Sequence, residues 1–173
     1  DTSGTVLTQS AVEVDERTVL EVCSQFEGEY DQIPPMYSAK KIDGKKLYQL
    51  AREGKIVERK AVPVTLKDIQ VLSVKDNKAR FIVTCSAGTY IRTLCVDIGK
   101  KLGCEACMSS LTRVMAGGFS KEQALTLEKI KELADKNELE SRLISIDTAL
   151  GHFPKVIASN EFEKQLKNGN AIS

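Results

Sequence analysis

Cys85-Ser86-Ala87-Gly88-Thr89-Tyr90-Ile91-Arg92-Thr93-Leu94 reads as the end of a strand, a tight turn and the start of a helix. Just before it, residues 79–85 run Ala-Arg-Phe-Ile-Val-Thr-Cys, apolar at every second position and rich in β-branched and aromatic side chains. That alternation predicts a half-buried strand over 79–86. Gly88 permits a turn that a residue with a Cβ resists. Thr89 is the expected N-cap, its hydroxyl accepting from a free amide of the first turn. Ile91, Leu94, Cys95, Ile98 and Leu102 then recur at helical spacing. Lys100 and Lys101 in the last turn, with Gly103 beyond, close a helix over 90–102.

Arg92 runs against the local rule. It falls in the first helical turn, where the macrodipole favours an anion and opposes a cation by about 0.3–1 kcal/mol. A cation there suggests an anionic partner, carboxylate or phosphate. The alternative is a side chain that projects into water and bears the penalty.

Working outward, Val62–Leu66 and Asp68–Val74 read as strands, with Asp76-Asn77 turning the chain into the 79–86 strand. Met108–Met115 reads as a further strand, so that the sheet takes in 62–74, 79–86 and 107–115. Asp15 caps a short helix carrying Val19, Leu20, Cys23 and Phe26 on one face. Pro34-Pro35 stops regular structure. Tyr37 to Lys60 then reads as an irregular basic loop with a short helix near Leu47–Glu53, punctuated by Gly44 and Gly54. Leu125 to about Asn137 is a helix with Ile130, Leu133 and Ala134 as its apolar stripe, and 139–150 a further short helix or turn. A mainly antiparallel sheet with the 90–102 helix packed on it makes an α+β fold.

The net charge of +1 over 173 residues hides a segregation. Residues 1–35 hold one basic and eight acidic side chains, a net of −7. Residues 36–60 hold eight basic against three acidic, a net of +5, and residues 61–120 add a further +4. A basic centre over 36–120 suits phosphate, although a solvated basic face has the same composition. Tyr37 and Tyr48, set among the lysines, suit stacking on bases or packing on the domain. No apolar run approaches the roughly 20 residues needed to span a bilayer.

Five cysteines stand at 23, 85, 95, 104 and 107. Three of them occupy apolar strand or helix positions, as buried free thiols do. Cys104-Glu105-Ala106-Cys107 lacks a second pair to complete a zinc site. The expectation is a reduced, cytoplasmic protein.

Three blocks in order carry a family likeness. Gln32-Ile33-Pro34-Pro35-Met36-Tyr37-Ser38-Ala39-Lys40-Lys41 with Asp43-Gly44-Lys45-Lys46-Leu47-Tyr48 comes first. Ser86 to Leu94 with Asp97-Ile98-Gly99 and Leu102-Gly103-Cys104 is the second, and Ser110-Leu111-Thr112-Arg113 the third. Together they resemble the tRNA pseudouridine synthase B (tRNA pseudouridine-55 synthase) family, from Asp1 to about residue 150. The resemblance implies a pseudouridine-synthase-like α+β fold: a mixed, mainly antiparallel sheet with packed helices and a basic thumb loop at 36–60. It implies a chain incomplete at both ends, with 1–150 the C-terminal part of the catalytic domain. Residues 151–173 would begin a C-terminal module, often an RNA-binding one in the family.

The same resemblance implies the chemistry. The parent protein would isomerise the T-loop uridine of tRNA to pseudouridine, with tRNA as partner, as a monomer and with no cofactor, metal or membrane. Tyr90 matches the tyrosine that contacts the uracil and is placed for proton transfer; otherwise it is a core aromatic. Arg92 matches the arginine that pairs with the catalytic aspartate. Leu111 matches an apolar residue packed on the target base; otherwise it is an ordinary core residue. Tyr37, Lys40, Lys41, Lys45, Lys46, Tyr48, Arg52 and Arg113 would contact RNA. The family nucleophile is an aspartate in a G-x-L-D setting, and none of the nine aspartates here stands in one. The chain alone is therefore expected to be inactive, the alternative role being a non-catalytic T-arm binding module.

Overall fold

Asp15 opens helix α1 (Glu16–Ser24) by accepting the Thr18 N–H on its carboxylate at 2.7 Å. The Thr18 N–H, one of the four orphan amides of a helix start, is thereby satisfied. The computed structural model describes residues 1–171, so the last two residues of the 151–173 segment lie outside the described residues. The chain divides into two units, Asp1–Leu111 and Thr112–Ser173.

In the first unit, α1 is followed by β1 (Gly28–Gln32), a two-residue pair β2 (Lys41–Ile42) and β3 (Lys45–Lys46), and α2 (Leu47–Arg52). Then come β4 (Val62–Lys75), β5 (Lys78–Cys85) and α3 (Ile91–Lys101). The main sheet is antiparallel throughout, in the order β1-β4-β5. Asp76 and Asn77 both adopt positive φ, the backbone of a two-residue hairpin turn, and join β4 to β5. Helices α1 and α3 cover one face. Val19, Val22 and Cys23 from α1, with Phe26 just beyond it, meet Val64, Leu66 and Ile69 from β4 and Leu94 and Ile98 from α3 in one buried cluster.

Four expectations are corrected. The two strands over 62–74 are one 14-residue strand whose register against β5 shifts between Leu66 and Asp68 and between Val71 and Ser73. Such irregularities let one strand bend and continue where the alternation breaks. No strand forms over 107–115: 104–114 is irregular and largely exposed, and only Met115–Ala116 pairs, with Phe119–Ser120. Most of its apolar residues stay exposed and join no ladder. The 36–60 segment is more regular than its composition suggested. Asp43-Gly44, both at positive φ, turn β2 into β3, and Leu47 and Leu50 of α2 are buried. Finally, Tyr90 and not Thr89 is the N-cap of α3. Strand β1 had no signal, because Gly-Glu-Tyr-Asp-Gln is polar and is held by pairing with β4.

Gly99, buried on α3, is required by close approach. A Cβ built there would lie 2.5 Å from the Ala106 Cβ, 2.9 Å from the Ala106 nitrogen and 3.0 Å from the Cys104 carbonyl oxygen. Two of those neighbours are backbone and cannot swing aside. Gly99→Ala is expected to destabilise by ~1–3 kcal/mol, visible as a lowered urea midpoint with an unchanged slope.

The second unit, by itself, holds the hairpin β6 (Met115–Ala116) and β7 (Phe119–Ser120), then α4 (Leu127–Asp135), α5 (Ile146–Ala149) and α6 (Glu163–Lys167), with short 3₁₀ turns between. Thr126 caps α4 by accepting the Lys129 N–H, and Leu133 is its buried residue. Among the described residues no helix is long and apolar enough to cross a membrane.

Candidate functional site

Strand β5 ends at Cys85, and the next four residues build the turn that delivers Tyr90. The Ser86 N–H donates to the Thr65 carbonyl at 2.8 Å, and the Ser86 hydroxyl accepts the Thr65 N–H at 3.0 Å. Thr89, freed from capping, donates its hydroxyl to the Ser86 carbonyl at 2.9 Å. Gly88 sits between them at φ 85°, which an L side chain rarely adopts. The turn is therefore closed by side chains at both ends.

Tyr90 is half-buried, and its backbone is held from across the domain. Its N–H donates to the Gln32 side-chain Oε1 at 2.7 Å, and its carbonyl accepts from Gln32 Nε2 at 3.1 Å. The same Nε2 faces the Tyr30 hydroxyl. Burial pushes the Tyr30 phenol up to about 12, so it stays neutral near pH 7. Gln32 is 1% exposed and Tyr30 half-buried. Neither was singled out from the sequence as a site residue. Gln32 stood within the first motif, separated from Pro34-Pro35 by Ile33, and its polar surroundings carried no sign that it is buried.

Arg92, two residues on, donates from Nη2 to the Tyr37 carbonyl at 2.7 Å. It makes no ion pair among the described residues, so one carbonyl is its protein acceptor against the unfavourable end of the α3 dipole. The guanidinium lines an open cleft of about 640 Å³ together with Tyr30, Asp31, Arg59, Val96 and Asp97. Tyr90 lies outside that lining. Asp97 is engaged elsewhere, by Lys100 at 3.3 Å. Chemically, the arrangement offers a cation at an open cleft, able to orient an anion, two residues after a tyrosine whose backbone is clamped.

The basic segment, distant in sequence, is tied to Arg92 through the Tyr37 carbonyl; Tyr37 itself is 58% exposed. Lys41 and Lys46 stand directly opposite each other across the β2–β3 hairpin. Like charges so placed repel. Tyr48 is not a free stacking platform: Lys46 Nζ lies 5.7 Å and the Arg52 guanidinium 5.4 Å from its ring centre. Its ring gathers two cations, as aromatic quadrupoles do. Lys40 is half-buried, while Lys41, Lys45 and Arg52 are exposed.

Leu111 ends the first unit 58% exposed, in irregular chain and not in the core. Arg113 is exposed and belongs to the second unit. All five cysteines are free; Cys104 is half-buried and Cys107 exposed.

Residues 1–91 match the family model described as TruB family pseudouridylate synthase (N terminal domain). Residues 92–151 match that of tRNA pseudouridylate synthase B C-terminal domain. The tRNA pseudouridine synthase B of Alkaliphilus oremlandii is 44% identical over 172 residues, covering 99% of this chain and 56% of that protein. The protein of the same name from Bacillus licheniformis is 45% identical over 163 residues, covering 91% of this chain and 53% of its own. The chain thus spans little more than half the length of these relatives. A chain in the crystal structure of a Cbf5-Nop10-Gar1 complex superimposes with a TM-score of 0.72 at 27% identity, over 91% of this chain and 45% of its own. A second, from an H/ACA RNP bound to a substrate RNA containing 2'-deoxyuridine, gives 0.69 at 23% identity and bears on the fold alone.

Proposed function

The chain belongs to the TruB family of pseudouridylate synthases, and on that premise we propose that it forms one wall of the uridine pocket of a tRNA pseudouridine synthase together with the loop that grips the T-arm. The reaction of the whole enzyme is an isomerisation: the bond from uracil N1 to the ribose breaks, a bond from C5 to the same ribose carbon forms, and a proton leaves C5 as one is gained at N1. Tyr90 is the group for proton transfer at the base. Arg92 is the partner of the aspartate nucleophile. Leu111 packs on the base, and Tyr37, Lys40, Lys41, Lys45, Lys46, Tyr48, Arg52 and Arg113 hold the RNA.

The observation that carries this reading is Arg92. It stands two residues from Tyr90 in the first turn of a helix, opposed by the dipole and without a carboxylate partner among the described residues. A carboxylate supplied from outside this chain, the aspartate of a G-x-L-D segment, satisfies it. The test joins the chain to the aspartate-bearing segment of a relative and assays a T-arm stem-loop for pseudouridine. Conversion that vanishes when the added aspartate becomes asparagine supports the reading. A folded, RNA-bound but wholly inactive assembly removes it.

A second reading, a T-arm binding module without chemistry, is favoured by one observation: none of the nine aspartates here lies in a G-x-L-D setting. Under either reading we take 1–150 as part of the catalytic domain, 151–173 as the start of a C-terminal module, and the protein as a cytoplasmic monomer that uses neither metal nor cofactor.

The Tyr48 geometry gives a prediction of its own. Gathering Lys46 and Arg52 over one ring presets two phosphate-binding cations, each contact contributing roughly 0.5–1 kcal/mol. Tyr48→Ala is expected to weaken stem-loop binding several-fold, while Tyr48→Phe, which keeps the ring face, leaves it unchanged in a fluorescence-anisotropy titration. Loss in both variants would mean that the hydroxyl, not the ring, matters.

A further inference from the structure

We infer that Gln32 is the positioning residue of the candidate site: its carboxamide fixes the Tyr90 backbone and through it the placement of the Tyr90 ring and Arg92. The catalytic consequence rests on the proposed function above; the clamp itself does not.

A carboxamide that is 1% exposed is expensive to bury unless its polar atoms are bonded. Gln32 meets that demand chiefly at Tyr90, from 58 residues away, with the Tyr30 hydroxyl as the further partner of its Nε2. One oxygen accepts the Tyr90 N–H and one nitrogen donates to the Tyr90 carbonyl. The amide orientation is thereby determined, because only the oxygen can accept from an N–H. Two contacts of opposite polarity to one residue fix its orientation as well as its position.

Helix α3 needs such a clamp. Its N-cap is Tyr90, which makes no side-chain cap bond. In a capping box the N-cap amide is accepted by a Glu or Gln at the third helical position. Here that position is Thr93, too short to reach back. Gln32 supplies the missing acceptor from strand β1. It is itself anchored, by the antiparallel pairing of β1 with β4 on one side and by the stiff Pro34-Pro35 pair on the other. Beyond the prolines the Arg92 bond to the Tyr37 carbonyl ties the same segment to the same helical turn again. Residues 30–37 and the start of α3 are thus joined at two points, Tyr90 and Arg92.

The test reads backbone amide exchange by NMR on the full 173-residue chain. Gln32→Met keeps the volume and drops both bonds. Gln32→Glu keeps an acceptor for the Tyr90 amide in either charge state. In Gln32→Met the Tyr90 amide is expected to exchange ~10–100-fold faster, while the amides of the β4–β5 ladder stay within about threefold. In Gln32→Glu most of the Tyr90 protection is expected to return. Unchanged exchange at Tyr90 in Gln32→Met, or acceleration shared equally by the ladder, overturns the clamp. If Gln32→Met does not fold, folded Gln32→Glu decides: an unprotected Tyr90 amide there overturns it. In the chain completed to the length of its relatives, Gln32→Met is expected to lower kcat by about 10²-fold with KM within about threefold. An unchanged kcat overturns the positioning role. Inactivity of the completed chain with Gln32 intact counts against the proposed function and leaves the exchange result to decide the clamp.

Discussion

Mixed with a T-arm stem-loop and free of contaminating synthase, this chain alone is expected to convert no uridine to pseudouridine. Covalent catalysis needs its nucleophile, and no aspartate here stands in the family's nucleophile setting. In the chain completed with an aspartate-bearing segment, Tyr90→Phe is expected to lower kcat by roughly 10²–10⁴-fold, the usual contribution of a positioned proton-transfer group. Arg92→Ala is expected to lower it by about 10²–10³-fold, as loss of one preorganised charged donor does. Stem-loop affinity should stay nearly constant in both, because neither side chain belongs to the basic hairpin. Turnover is checked by tritium release from C5-labelled uridine. Any genuine turnover by the chain alone, or full activity of Arg92→Ala in the completed enzyme, contradicts the assignment.

What the sequence disclosed follows from how local each signal is. The β5–turn–α3 run was legible because its period changes from two to 3.6 at one glycine. The cap of α1 was legible because Asp15 reaches only three residues ahead. Gln32 was not, since its partner lies 58 residues away and a polar side chain in a polar stretch gives no sign of burial. Strand β1 was hidden for the same reason, being held by β4 and not by its own composition. The error at 107–115 runs the other way: Leu111, Val114 and Met115 look like a strand, but all three remain more than half exposed and only Met115 enters a ladder, the two-residue pairing with Phe119–Ser120. Of the site, the motif placed Tyr90 and Arg92 on the right turn, while the Tyr37 carbonyl as the Arg92 acceptor is a main-chain contact that no side-chain pattern encodes.

The second large effect is electrostatic. Raising salt from 50 to 200 mM is expected to weaken stem-loop binding by about 10²-fold, from a slope of log K on log salt of about −3 to −4 if four cations neutralise phosphates. The hairpin favours this. Residues 36–60 carry a net +5, and β2–β3 places Lys41 directly against Lys46 with Lys45 exposed at the turn. Two cations held opposite each other raise the energy of the free hairpin, and a phosphate between them removes that repulsion on binding. Changing Lys40, Lys41, Lys45 and Lys46 together to alanine should flatten the slope to about −1 or less, leaving Arg52 and its neighbours. Tyr90→Phe should leave it unchanged, since a phenol brings no charge to a phosphate. Buried Leu47 and Leu50 anchor the segment independently of the lysines, so the quadruple variant keeps its fold and the comparison reads charge alone. Absence of binding at 50 mM would mean that the hairpin needs surroundings this chain does not supply. Binding indifferent to salt would mean that phosphate neutralisation is not its basis.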